Sequence, residues 1–172
     1  MAVRPAGPPD VARLEAIENL ADALLIDLLN PARWDPAPTG DQRVAMPGFV
    51  IVVSESMGGD AVGFVHVIEV DGYAHLEQLS VLPSHTRRGF GRALVDAAKG
   101  EASRRGYKWI TLRTFADVPW NAPFYSTCSF VESEPDTSFH RELVETEAQL
   151  GLEQYGRRIQ MTAPLLRAGH FD

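Results

Sequence analysis

Apolar and polar positions divide the chain into segments of two different periods. Ala2–Pro5 predicts a short strand, closed by Gly7-Pro8-Pro9. Asp10 reads as the N-cap of a helix running to about Leu29. Within it Val11, Leu14, Ile17, Ala21, Leu24, Leu25 and Leu28 recur at helical spacing and predict one buried face. Asn30-Pro31 ends that helix. Ala32 to Pro47 carries Pro36, Pro38 and Gly40 without a clear period, which predicts a loop over one face of the domain. Phe49–Ser54 then reads as a β-branched strand, and Met57-Gly-Gly-Asp60 as a turn. Ala61–Val70 and Tyr73–Leu82 read as strands joined by Asp71-Gly72, a strong hairpin signal.

The second half alternates helix and strand. A helix from Gly91 to about Arg105 turns Leu94, Ala97 and Ala98 inward and Asp96, Lys99 and Arg104 outward, with Gly106 as its stop. Lys108–Thr114 is a strand with Ile110 and Leu112 on one face. Pro119 and Pro123 bracket the start of a short helix capped by Asn121. Phe130–Ser133, Glu142–Leu150 and Arg157–Thr162 predict a strand, a helix and a last strand. No repeat or low-complexity tract interrupts the 172 residues, so the expectation is one α/β domain over residues 1–172.

Composition narrows the partners. A net charge of -7 argues against a nucleic-acid surface, which is normally basic. It suits a cationic substrate such as an amine, although solubility alone would account for it. The single cysteine, Cys128, rules out an internal disulfide and looks like a small buried apolar residue. The first residues lack the apolar core of a signal peptide, and Ala21–Leu29 carries Asp22 and Asp27 and is too short to span a bilayer. The expectation is a cytoplasmic protein with no membrane and no nucleic-acid partner. His66, His85, His140 and His170 are too scattered to predict a metal site.

The chemistry concentrates in Leu76–Leu94, which reads as a strand, a loop with arginines and glycines, and a helix. Glycines let a backbone come close to a ligand, and a helix N-terminus presents free N–H groups and partial positive charge. Arg87, Arg88 and Arg92 add charge, so the segment predicts a grip on a diphosphate. Gly89-Phe90-Gly91 lacks the third glycine of the dinucleotide fingerprint, and no Gly-Lys-Ser/Thr occurs in the chain.

Thr86-Arg87-Arg88-Gly89-Phe90-Gly91 resembles the loop Gln/Arg-x-x-Gly-x-Gly/Ala of the GNAT family of N-acetyltransferases, with Thr86 departing at the first position. Val118-Pro-Trp-Asn-Ala-Pro-Phe-Tyr-Ser-Thr-Cys-Ser-Phe130 resembles that family's later motif, Asn-x-x-x-x-x-Phe-Tyr-x-x-x-Gly-Phe or its shorter form Asn-x-x-x-Tyr, with Ser129 where glycine is usual. The resemblance implies a GNAT-like mixed central β-sheet flanked by helices, in which two parallel strands splay apart. These would be Tyr73–Leu82 and Lys108–Thr114, admitting the pantetheine arm of acetyl-CoA.

By the same resemblance, main-chain groups of Leu79, Ser80 and Val81 would bond the pantetheine. Arg87, Arg88, Gly89, Phe90, Gly91 and Arg92 would meet the pyrophosphate, and Asn121 would reach the cofactor arm or act as an N-cap. Tyr125 would be the general acid. The general base would be Glu77 or His75, which the strand period of two places on one face with residues 79 and 81. Acetyl transfer to a primary amine of a small molecule or protein is implied, with homodimers frequent. Trp34 is either a packing anchor or part of the acceptor pocket. A catalytically silent acyl-CoA-binding module and an unrelated nucleotide-binding protein stand as the other readings.

Overall fold

The computed structural model describes residues 1–166. Its strands are β1 (Ala2–Pro5), β2 (Phe49–Ser54), β3 (Ala61–Val70), β4 (Tyr73–Val81), β5 (Trp109–Phe115), β6 (Val131–Ser133) and β7 (Arg158–Pro164). Its helices are α1 (Pro8–Leu29), α2 (Gly40–Ala45), α3 (Phe90–Arg104), α4 (Ala122–Thr127) and α5 (Ser138–Leu150). The strands form one open sheet in the order β1-β2-β3-β4-β5-β7-β6. Every neighbouring pair is antiparallel except β4 and β5, which run parallel. This is the mixed α/β sheet flanked by helices that the residues predict.

Local chemistry explains the connections. Asp71 and Gly72 take φ values of 52° and 81°, and two left-handed residues in a two-residue loop match the twist of the β3–β4 hairpin. The parallel pair needs a long crossover, and α3 supplies it. On one face of the sheet, Leu94, Val95, Ala98 and Ala102 of α3 pack on Val53, Val65, Val67, Leu76 and Ile110. On the other, Leu14 and Ile17 of α1 pack on Val52 and Phe64. No helix of the described residues is long and apolar enough to cross a membrane.

Several elements differ from the sequence reading. Gly7, not Asp10, precedes the first helix, because Pro8 is tolerated in a first turn where its missing N–H costs nothing. Asp10 lies inside that turn, accepts from the Gly7 N–H at 2.8 Å and pairs with Arg4. The buried stripe of α1 ends early: Leu24 and Leu28 are 39% and 53% exposed. The C-terminal half of α1 instead offers Ala21, Leu24 and Leu25 to a cleft.

The stretch after α1 is not wholly loop, because α2 interrupts it. Thr39 Oγ1 accepts from the Gln42 N–H at 3.1 Å, and Gln42 Oε1 accepts from the Thr39 N–H at 2.9 Å, a reciprocal cap. At Gly40 a Cβ would lie 1.8 Å from the Val11 carbonyl oxygen, so α2 docks on α1 at a distance that glycine alone permits. The last helix begins at Ser138, where Thr137 accepts from the His140 N–H at 3.1 Å.

Ser129 follows α4 with φ at 68°, the left-handed conformation in which glycine has no Cβ penalty. Its side chain is exposed, so the substitution changes the backbone preference alone. Ser129→Gly is expected to stabilise the protein by about 0.5–1 kcal/mol, read from the midpoint of denaturant unfolding.

Candidate active site

The site begins where the sheet comes apart. β4 and β5 pair over Ala74–Ile110, His75–Thr111 and Leu76–Leu112, and no further. Just there the β3–β4 ladder slips. His66 faces Gln78 and Val67 faces Leu76, leaving Glu77 as an extra residue. Such a bulge bends and twists its strand. A cleft of about 1570 Å³ opens beyond it, with Glu77, Gln78, Leu79 and Val81 on one wall and Arg113, Thr114 and Phe115 on the other.

The bulge also resets the alternation expected of β4. Residues 75, 77, 79 and 81 do not share a face. Leu79 and Val81 pack with the α3-side core, whereas Glu77 turns to Arg43 and His66 on the opposite side. The Leu82 N–H bonds the Val62 carbonyl at 2.8 Å, so Ser80, two residues earlier, also directs its backbone to β3. Leu79 and Val81 therefore carry the open edge. Ser80 does not, and its hydroxyl accepts from Gln78 Nε2 at 3.0 Å.

At one end of the cleft lies the start of α3. The N–H groups of Phe90, Gly91 and Arg92 precede the first intrahelical bond, from Ala93 to the Gly89 carbonyl. Gly89 holds φ at 85°, which turns the chain into the helix, and a Cβ there would meet nothing nearer than 4.0 Å. Its requirement is conformational, not one of crowding. Arg87 and Arg92 line the cleft, the latter tied to Thr127 Oγ1 at 2.7 Å across α4. Arg88 does not line it: its guanidinium bonds Glu55 at 2.9 Å and stacks over Phe90. The Phe90 ring is buried in the core, so its backbone N–H is what it offers a ligand.

Asn121 precedes α4 but does not cap it with its side chain. Its Oδ1 accepts from the Thr114 hydroxyl at 2.6 Å, which leaves the amide nitrogen with no hydrogen-bond partner among the described residues. One turn on, Tyr125 is buried and lines the cleft. Burial, helped by neighbouring Cys128 and opposed by the charge of Arg158, raises its hydroxyl well above the usual phenol value. It stays protonated at neutral pH.

His75 is not part of the cleft. It lies 4% exposed beneath α5, with Nδ1 2.8 Å from Thr111 Oγ1 and its ring edge-on to Phe139. Burial, then the nearby His140, push it down to about 3. An imidazole that enclosed is neutral and out of reach of an acceptor, so it is withdrawn as a base.

Glu77 remains, held by a group the sequence reading missed. Arg43 of α2, 1% exposed, bonds Glu77 Oε2 at 2.5 Å, Glu18 Oε2 at 2.6 Å and His66 Nδ1 at 3.0 Å. Burial works to raise Glu77, but His66 and Arg43 more than offset it and hold the carboxyl below its ordinary value. Glu18 behaves oppositely: burial outweighs Arg43 and pushes it up to about 7. Asp22 is raised as well, again by burial, while accepting from Trp34 Nε1 at 3.4 Å. Trp34 thus anchors its loop and also lines the cleft. The signal for Arg43 was the Thr39-x-x-Gln42 cap, which marks a helix too short to show a hydrophobic period.

The opposite wall is cationic. Arg113 of β5 and Arg158 of β7 both line the cleft, and both meet one carboxylate: Glu147 of α5 lies 3.0 Å from Arg113 Nε and 2.6 Å from Arg158 Nη2. Among the described residues no group of three His, Cys, Asp or Glu side chains could hold a metal, and His170 lies outside those residues.

A model of the acetyltransferase (GNAT) family matches residues 17–130. Among solved structures, the ribosomal-protein-S18-alanine N-acetyltransferase from Escherichia coli superposes with a TM-score of 0.68 at 19% identity, over 99% of this chain and 97% of that one. A Mycobacterium tuberculosis protein in complex with CoA gives 0.65 at 18% identity, over 96% and 100%. N-acetylglutamate synthase from Neisseria gonorrhoeae, complexed with coenzyme A and N-acetyl-glutamate, gives 0.66 at 13% identity, over 96% of this chain and 35% of that one. At these identities the likeness is one of fold.

The raised Glu18 has a measurable consequence. Between its ordinary value of 4.5 and about 7, the unfolded chain releases this proton while the folded one keeps it. Stability therefore falls as pH rises through that window. Glu18→Gln is expected to flatten that part of the profile of denaturant midpoint against pH.

Proposed function

The chain belongs to the acetyltransferase (GNAT) family, and from that premise we propose that it passes an acetyl group from acetyl-CoA directly to a primary amine. The observation that carries the reading is the gap between β4 and β5. It opens after three residue pairs, with free N–H groups of α3 at one end and Glu77 and Tyr125 along it.

The residues present fit the cofactor. Backbone N–H groups at the start of α3, with Arg87 and Arg92, suit a diphosphate. The unpaired edge at Leu79 and Val81 suits the amides of the pantetheine, which would add to β4 as a further strand. Asn121 has an amide nitrogen to donate. Acetyl-CoA supplies the activated acetyl thioester.

The chain's own tasks are to orient, to take protons and to give one back. As the amine nitrogen bonds the carbonyl carbon, the carbon–sulfur bond breaks and its electron pair leaves on sulfur. An ammonium must lose two protons to become an amide. Glu77, ionised and fixed by Arg43, takes one through a water and passes it to solvent. Tyr125 gives its hydroxyl proton to the departing thiolate and recovers the second proton from the nitrogen. The sum is ammonium plus thioester giving amide, thiol and one proton.

Release of free thiol from acetyl-CoA across a panel of amines tests this reading. Cofactor binding without turnover on any amine would replace it with a silent acyl-CoA-binding module. Greater thermal stabilisation by ATP or NAD than by acetyl-CoA would replace it altogether. Tyr125→Phe is expected to lower kcat by about 10²- to 10⁴-fold with little change in acetyl-CoA affinity, measured by steady-state kinetics and calorimetry. Gly89→Val places a β-branched residue at a φ of 85° and is expected to abolish acetyl-CoA binding in a folded protein.

A further inference from the structure

The two walls of the acceptor side carry opposite charge. On the α1 side, Glu18, Asp22 and Glu77 surround a single guanidinium, that of Arg43. On the β5–β7 side, two guanidiniums, Arg113 and Arg158, share the single carboxylate of Glu147. Two positive charges against one negative leave one positive charge over. The other ionisable groups near Arg113, His75 and His140, are both held toward the neutral form by burial. Arg113 and Arg158 have side chains only 7% and 12% exposed; Arg113 Nε is taken up by Glu147, and the buried Arg158 Nε has no hydrogen-bond partner among the described residues. Burying two guanidiniums around one carboxylate is costly, and an anionic ligand beside them would offset that cost.

Position supports the pairing of the two walls. Glu77 follows Leu76 on β4 and Arg113 follows Leu112 on β5, and Leu76 and Leu112 are the last residues in register. Glu77 and Arg113 therefore stand opposite one another where the strands begin to part. The strands lie about 5 Å apart at that last pair and separate beyond it, so Glu77 and Arg113 flank an opening into which the two ends of one small molecule fit. Arg158 faces Phe115 across β5–β7, its guanidinium 4.6 Å from the ring, which leaves its planar fork packed and aimed.

We propose that the acceptor is an amino-carboxylate, its ammonium directed to Glu77 and its carboxylate to the Arg113–Arg158 pair. One carboxylate balances the single excess charge, which a phosphate at neutral pH would overshoot. The inference rests on the transfer reading above and names the substrate class for the same cleft.

The test compares free L-amino acids with their amides, with the corresponding decarboxylated amines, with O-phosphoethanolamine and with short peptides. Thiol release from acetyl-CoA is the readout. The free acids are expected to exceed the amides by about 10- to 100-fold in kcat/KM, mostly through KM, the usual range for a hydrogen bond to a charged group. Arg158→Met should bring that ratio close to one without lowering Tm, because Arg113 and Glu147 remain as a balanced pair. Should this variant fail to fold, Arg158→Lys keeps the charge but loses the fork, and should lower the ratio in a folded protein. Equal use of acid and amide, preference for the phosphate or peptide, or a ratio that survives in the Arg158 variants overturns the proposal. If CoA binds and no amine is acetylated, the transfer reading fails separately. Calorimetric titration of amino acids and their amides into the CoA-saturated protein then decides. Selective binding of the acid supports the carboxylate site, and its absence overturns it.

Discussion

Everything at the site follows from how briefly β4 and β5 hold together. Parallel strands normally continue their ladder until one of them ends. Here the ladder stops at Leu76 and Leu112 while both strands run on. The cause is local: Glu77 is one residue too many for β3, and the bend that absorbs it turns β4 away from β5. One inserted residue thereby opens the sheet, frees a length of backbone edge at Leu79 and Val81, and turns those two side chains to the face opposite Glu77. The two faces of the sheet then serve different ends. The α3 and α4 side has backbone donors, Arg87, Arg92, Asn121 and Tyr125, whereas the α1, α2 and α5 side has the carboxylates and the guanidiniums paired with them.

The second determinant is a missing methyl group. Without a Cβ at Gly40, α2 lies directly on the backbone of α1, and Arg43 reaches three partners from a position shielded from water. A lone buried guanidinium would be unfavourable, and so would Glu18 and Glu77 without it. Together they fix the Glu77 carboxylate at the mouth of the opened strands. The different environments of the two acids matter as well. Glu77 keeps its charge at the cleft edge, while Glu18, deeper, is poised near neutrality.

Much of this is legible in the amino-acid sequence. The strands up to the hairpin, α3 and the paired family motifs are strong local signals, since β-branched runs, Asp71-Gly72 and the Gly89-Phe90-Gly91 junction each act within a few residues. The misreadings have a common source in contacts distant along the chain. His75 and Glu77 look equivalent under a period of two and do share a face, but α5, far along the chain, covers His75 alone. Arg88 looks like a phosphate ligand until Glu55, far upstream, takes it. Arg113, Arg158 and Glu147 lie in three separate segments, and no spacing links them. Arg43 was within reach, because Thr39-x-x-Gln42 announces a helix start, but a six-residue helix shows no period to confirm it.

The segment between α1 and α2 is pinned at each end and at two points between. Asn30 closes α1 in a left-handed conformation, and the Thr39–Gln42 clasp opens α2. Between them Trp34 and Ala37 tie back to Asp22 and Asn19. Changes in the remaining residues can reshape one wall of the cleft without displacing Arg43 or the carboxylates it organises. Under the transfer proposed above, such a strap would let selectivity be altered while Glu77 and its guanidinium partner stay where they are.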